Sequence, residues 1–413
     1  MTVKLNTSPT RHVESDAGMQ GATPRNNIMV CRRCTYDEEI PGIHFDSSGL
    51  CNYCSIHDSL EEQYPTGAEG QAWLETFART VKQSAKGKKY DCIIGVSGGC
   101  DSSYLVVRMK ELGLNPLAVH FDNTWNSEIS TQNIYKVLNK LDVDLYTYVV
   151  DGREYDDILR AFFLSGVKDI DAPLDIGLAS VLYRTAEQHG LQYIIEGHSF
   201  RTEGISPLGW NYMDGRYIRA VHRQFGRLPM RTFPNMPMHS FVRWVALRGI
   251  QRVRPLYYMD YDKEEVKAML ARRFGWQWYG GHHLENRFTS FVHQHFLPRR
   301  WNADLRHLGH AALVRSGQLD RDEALAMLSK PVVCPEELLS LVKKRLRFTD
   351  VEFNEVMSIP RRNWFDYPNY KRTFELLRPL FRLLVHAGRV PESFYMKFCF
   401  KNQLGELSSG SRT

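Results

Sequence analysis

The apolar stretch 90–96 runs directly into Ser97-Gly98-Gly99-Cys100-Asp101-Ser102-Ser103, and this junction constrains the fold more than any other feature of the chain. A buried strand that ends in two glycines and a helix start gathers backbone amides around one point, where the helix dipole adds positive potential. An anion belongs at that point. Ser97, Ser102 and Ser103 add hydroxyl donors, and Asp101 is placed to hold Mg2+ or to brace the loop. The loop is not of Walker A type, because no G-x-x-x-x-G-K-[ST] occurs.

Strand and helix patterns alternate around this loop. Further strands are expected over 116–121, 144–151 and 192–196, and helices over 102–112, 128–141, 155–165 and 175–189. The alternation predicts an α/β fold with a parallel sheet, helices on both faces, and ligands beyond the carboxyl ends of the strands. Asp122 after the second strand and Gly197 after the fourth are therefore candidate binding residues. A helix is also expected over 68–86. Beyond residue 201 the pattern predicts a mostly helical region, with helices over 263–274, 320–328, 335–345 and 374–386, the last in spite of Pro379.

Four of the eight cysteines form the pattern Cys31-Arg32-Arg33-Cys34, sixteen residues, Cys51-Asn52-Tyr53-Cys54. Two C-x-x-C knuckles can close a tetrahedron of thiolates, with Gly42 and Gly49 at tight turns between them. A four-sulfur site leaves no open position, so structural Zn2+ is expected, with rubredoxin-type iron as the alternative. No apolar run approaches the length of a membrane span, residues 1–27 read as a disordered leader, and a cytoplasmic location is expected. The expected division is 1–27 leader, 28–58 zinc ribbon, 88–260 ATP-binding domain and 261–413 helical region.

The loop resembles the PP-loop of the ATP pyrophosphatase superfamily, whose members cleave ATP between the α and β phosphates and transfer AMP to a substrate oxygen. Two branches fit an N-terminal zinc module. One is the transfer-RNA thiolases, which use further catalytic cysteines. Here only Cys92, Cys100, Cys334 and Cys399 remain, and none forms a pair after the later strands. The other branch fits the order Arg254-Pro255-Leu256, Phe274-Gly275-Trp276 and Tyr279-Gly280-Gly281-His282-His283-Leu284-Glu285-Asn286-Arg287. With the cysteine knuckles and the loop, this order is similar to the N-acetyl sugar amidotransferase family of bacterial lipopolysaccharide and O-antigen pathways. The chain departs from the family pattern at His282, Leu305 and Gly309.

The resemblance implies an amide oxygen activated as an O-adenylate and displaced by ammonia, on a nucleotide-linked N-acetyl sugar. It implies ATP and Mg2+ on Ser97, Gly98, Gly99, Asp101, Ser102, Ser103, Asp122 and Gly197. Asp101, His283, Glu285 and Arg287 are the implied catalytic residues. No cysteine context is a nucleophile elbow, so ammonia is expected from free ammonium or from a partner; the resemblance implies a separate glutaminase similar to that of imidazole glycerol phosphate synthase, with a cyclase-like conduit subunit. A third class, a zinc-module adaptor with an inactive loop, predicts that Asp101→Ala changes nothing.

Net charge is +6, too mild to mark a nucleic-acid binder by itself. From Arg216 to Arg254, however, there are nine arginines and no acid. Such a stretch suits a pyrophosphate-linked ligand, and equally RNA or an anionic surface. Phe241, Trp244, Val245 and Leu247 within it fit either an amphipathic helix or core packing.

Overall fold

The computed structural model describes residues 28–207, 210–281 and 283–400; the expected leader and His282 lie outside them. At its centre is a five-stranded parallel sheet in the order β3-β2-β1-β4-β5. The strands are β1 Cys92–Gly95, β2 Pro116–Asp122, β3 Leu145–Val149, β4 Tyr193–Ile195 and β5 Gln251–Val253. The first four lie where the alternating pattern placed them. β5 was not expected, and it extends the sheet by pairing Ile194 with Arg252.

Helices α1 Asn52–Gln63 and α2 Gly67–Ser84 precede the sheet. The crossovers carry α3 Cys100–Glu111, α4 Glu128–Leu141, α5 Gly152–Leu164 and α6 Ala172–Gln188. Between β4 and β5 come the single turn α7 Phe200–Glu203, α8 Gly215–Phe225 and α9 Met238–Val242, the last continuing as a π-helical turn to Leu247. After the sheet follow α10 Lys263–Phe274, α11 Arg287–Phe291, α12 Leu297–Trp301, α13 Arg306–Arg315, α14 Arg321–Ser329, α15 Glu336–Leu346 and α16 Asp350–Ser358. The last three are α17 Lys371–Leu376, α18 Arg378–His386 and α19 Glu392–Cys399.

Strand periodicity sorts the core into two layers. Ile93, Leu117, Val119 and Phe121 face one apolar cluster, built with α5, α6 and α8 and continuous with Phe353, Phe374 and Phe381 of the later helices. Cys92, Ile94 and Ala118 face the other, built with α2, α3 and α4. Phe241, Trp244 and Val245 are buried in the first cluster, which settles that stretch as core packing, while Leu247 is exposed.

The helix expected over 374–386 is two helices. Pro379 has no N–H to offer the carbonyl of Glu375, and the chain breaks at Leu377 before restarting as α18.

Candidate functional site

β1 lies between β2 and β4, where the strand order reverses direction, and the Ser97–Ser103 loop leaves its carboxyl end at that switch point. Gly98 takes φ +79°, and a Cβ there would lie 2.0 Å from the Ser130 carbonyl oxygen of α4. A Cβ on Gly99 would stand 3.0 Å from the Tyr279 hydroxyl and 3.4 Å from Glu285 Oε1. Only glycine fits at the first position, and the second leaves the backbone open to close approach. The Gly99 amide donates to Ser97 Oγ at 3.2 Å, and the Ser97 and Ser102 hydroxyls are 3.4 Å apart. Ser103 is buried in the first turn of α3. Gly197 presses against the start of α3, its would-be Cβ 3.1 Å from the Ser102 amide. Asp122 caps the turn after β2, accepting from the Thr124 amide at 2.8 Å.

The segment after β5 closes over this loop. Trp276 Nε1 donates to the Gly98 carbonyl at 3.0 Å, and Asn133 Nδ2 reaches the same oxygen at 3.3 Å. Tyr261 donates to Asp101, and Lys263 Nζ stands 3.1 Å from the other oxygen of that carboxylate. Burial opposes the Lys263 charge, but the Asp101 carboxylate more than offsets it and holds the ammonium above its ordinary range. Sequence reasoning missed Lys263, although a signal was there. A lysine at the first position of a helix opposes the dipole, and a local rule broken without compensation marks functional positions.

Glu285 sits beside the loop, and its Oε2 is buried without a hydrogen-bond partner. Its backbone carbonyl accepts from the Ser127 amide at 2.8 Å, tying the 281–287 segment to the start of α4. Arg287 opens α11 with its side chain exposed, and its amide donates to the Trp125 carbonyl at 2.8 Å. His283, at φ +59°, lies 5.9 Å from the ring of His293. The structure therefore sets Asp101 and Glu285 at the loop, and His283 within electrostatic reach of Asp171 and Asp175.

These acids belong to a group the sequence did not reveal. Asp169 is buried, and its carboxyl is pushed up to about 7 by burial and by the Asp171 carboxylate. Asp171, the residue preceding α6, is likewise pushed up to about 7 by burial and by Asp175. Arg252 and Arg254 hold Glu196 below the usual carboxylate range in spite of its burial.

A folded carboxyl raised from its unfolded value near 4 binds a proton that the unfolded chain has released. Stability therefore falls as pH rises from about 4 to about 7, by at most about 1.4 kcal/mol per pH unit for one group. Asp169→Asn should remove that slope, which urea unfolding of both chains at several pH values would measure; parallel pH profiles would refute it.

The four cysteines converge near the first residues of the structure. Their Sγ atoms lie within 4.8 Å of one another, with contacts of 3.6–3.7 Å. Four thiolates about 2.3 Å from one Zn2+ would stand about 3.75 Å apart, so the residues fit a closed zinc site. Gly42 and Gly49 make the expected turns at φ +69° and +81°, while the second knuckle opens α1. Arg315 of α13 donates to Cys34 Sγ at 3.1 Å, and Arg321 donates to the Cys31 carbonyl at 2.8 Å. A Zn(Cys)4 centre would carry a net negative charge, which Arg315 is placed to offset.

Residues 285–380 match the family described as "LPS biosynthesis protein WbpG-like, C-terminal domain". The chain is 26% identical over 322 residues to "Uncharacterized protein MJ1599" of Methanocaldococcus jannaschii, covering 77% of this chain and 99% of that one. It is 24% identical over 196 residues to the "tRNA-specific 2-thiouridylase MnmA" of Halalkalibacterium halodurans, covering 44% of this chain and 47% of that protein, just under half of its length. Among solved structures, an NMN synthetase from Francisella tularensis superposes with a TM-score of 0.29 at 14% identity, covering 71% of this chain and 98% of that one. The fold assignment rests on the sheet order and not on that superposition. The matched residues 285–380 include Glu285 and Arg287 of the candidate site, and over them the chain is similar to the C-terminal domain of the WbpG-like lipopolysaccharide-biosynthesis proteins.

Proposed function

We propose that this protein is an ATP-dependent, AMP-forming amidotransferase that converts the acetamido group of a nucleotide-activated N-acetyl sugar to an amidine, or a carboxyl group to an amide, for surface-polysaccharide synthesis. One observation carries the reading. A glycine loop open to an anion at the switch point of a parallel sheet lies against a segment of the WbpG-like lipopolysaccharide domain.

The amide oxygen attacks the α-phosphorus of ATP and pyrophosphate leaves, giving an O-adenylyl imidate. Ammonia adds to its carbon, the C–O bond breaks, AMP departs and a proton is lost to leave the amidine. An amide oxygen leaves poorly until it is adenylylated, so the protein's work is positioning and charge stabilisation. The amides and hydroxyls of Ser97, Gly98, Gly99, Ser102 and Ser103 hold the phosphates, with Asp122 and Gly197 flanking the nucleotide. Mg2+ on Asp101 would neutralise phosphate charge. Lys263, poised on Asp101, stabilises the departing pyrophosphate. Glu285, with one oxygen unpartnered beside the loop, accepts the proton of the attacking nitrogen. His283 and Arg287 face the sugar. Ammonia comes from a separate glutaminase of the imidazole glycerol phosphate synthase kind through a cyclase-like conduit. The protein works in the cytoplasm; among the described residues, no helix is long and apolar enough to cross a membrane.

A second reading, a transfer-RNA thiolation enzyme, draws on the likeness to the 2-thiouridylase. It needs a reactive thiol near the loop. Cys100 is buried and burial pushes its thiol up to about 12, which leaves almost no thiolate at neutral pH.

Mass spectrometry of reactions containing ATP, Mg2+, ammonium and a panel of nucleotide N-acetyl sugars tests the proposal. The expected product has one oxygen replaced by NH, forms together with AMP, and is absent with Asp101→Ala. AMP release only in the presence of transfer RNA would transfer the case to thiolation.

A further inference from the structure

The acid-free arginine stretch divides in two. Arg252 and Arg254 pair with Glu196, and Arg243 and Arg248 pair with Glu187. Arg219 and Arg223 do otherwise. They stand four residues apart on one face of α8, both exposed, and with Arg184 of α6 they line a cavity of about 470 Å3. Arg184 donates to the Asn235 carbonyl at 3.1 Å, while Arg219 and Arg223 have no ion pair among the described residues.

Two buried acids hold the segment that faces them. Glu154 is buried and accepts from the amides of Arg231, Thr232 and Phe233 at 2.8–3.0 Å. Asp157 is buried and accepts from the amides of Arg227 and Leu228 and from His222 at 2.8–3.0 Å. Both carboxylates thus fix the 227–233 segment as a wall, while the lining of the cavity itself carries three arginines and no carboxylate. Met230 and Phe233 give that wall an apolar surface. The volume suits a small ligand, and guanidiniums beside an apolar face suit a phosphorylated one.

We propose that Arg184, Arg219 and Arg223 form a diphosphate-binding site separate from the Ser97–Ser103 loop, with Met230 and Phe233 available to a ring carried by the ligand. The separation follows from α6, whose rise puts Arg184 about 14 Å along the helix from Asp175, away from the loop end of the sheet. Multiple guanidiniums without internal partners favour two linked phosphates over one. The inference does not depend on the reaction proposed above.

The test is titration calorimetry of the full chain with UDP, inorganic pyrophosphate and uridine, combined with hydrogen exchange to locate the bound ligand. Saturable UDP binding is expected, with added protection over residues 215–237 and at least tenfold weaker binding in Arg219→Gln/Arg223→Gln. That double variant should keep the wild-type melting temperature, since neither side chain has an internal ion pair. Pyrophosphate binding as tightly as UDP would identify a free diphosphate as sufficient, weaker binding would assign a share to the nucleoside, and uridine alone should not bind. Protection confined to 97–103, unchanged affinity in the double variant, or binding only of long polyanions such as transfer RNA would overturn the proposal.

Discussion

Gly98→Ala should abolish ATP-dependent AMP release and lower the stability of the chain by about 2–5 kcal/mol, combining the cost of left-handed backbone for a residue with a Cβ and that of overpacking. The new methyl group would lie 2.0 Å from the Ser130 carbonyl oxygen and 2.7 Å from its carbon, both backbone atoms of α4 that cannot swing aside. Either α4 retreats or the loop abandons its φ of +79°. In the second case the Gly98 carbonyl also loses Trp276 and Asn133, so the covering segment comes loose with it. Urea unfolding reads the stability change and an AMP-release assay reads the loop. Full activity in a stably folded Gly98→Ala chain would show that the loop is not the nucleotide site.

Loss of metal from the four cysteines should have a larger effect, confined to that module and the helices resting on it. Structural zinc contributes on the order of 10 kcal/mol to the folding of small zinc modules, and this module has little else. Its core is the four cysteines with Tyr36, Ile40, Tyr53 and Ala311. Cys51→Ser should eliminate bound zinc and strip hydrogen-exchange protection from residues 31–63. The loss should spread to α13 and α14, because Arg315 and Arg321 anchor on the knuckle. The sheet should stay protected. Metal analysis of the native chain also separates zinc from rubredoxin-type iron, since ferric thiolate absorbs visible light and zinc thiolate does not. A Cys51→Ser chain with unchanged melting would show that no metal holds this module.

What could be read in the sequence was local. The bounds of α4 and α10 agree with the expected 128–141 and 263–274 because their stop signals lie in adjacent residues. Ser127 and Asp262 cap the starts, and Gly275 ends α10 in left-handed backbone. The glycine loop and the cysteine knuckles were legible for the same reason. β5 was hidden because Gln251-Arg252-Val253 has neither alternation nor an apolar run; its arginine is turned to Glu196 across the sheet edge. The acidic group was illegible for a different reason. Asp169 and Asp171 precede α6, His283 comes from a loop more than a hundred residues later, and Lys397 from α19. No spacing rule joins such residues, since only the packed fold brings them together.

The bond between Arg315 and Cys34 spans 281 residues, and it has a consequence for how the chain is made. The four thiols leave the ribosome long before Arg315 and can take up metal at once. The surface on which the module rests does not yet exist. At roughly 5–20 residues per second, Arg315 follows Cys54 by about 10–50 s. Throughout that interval the finished knuckle exposes the faces of Tyr36 and Tyr53 that later meet Arg315 and its neighbours. The knuckle is thus completed well before the surface that seats it, and a chain halted before residue 315 would present a metal-loaded, sticky head with nowhere to dock.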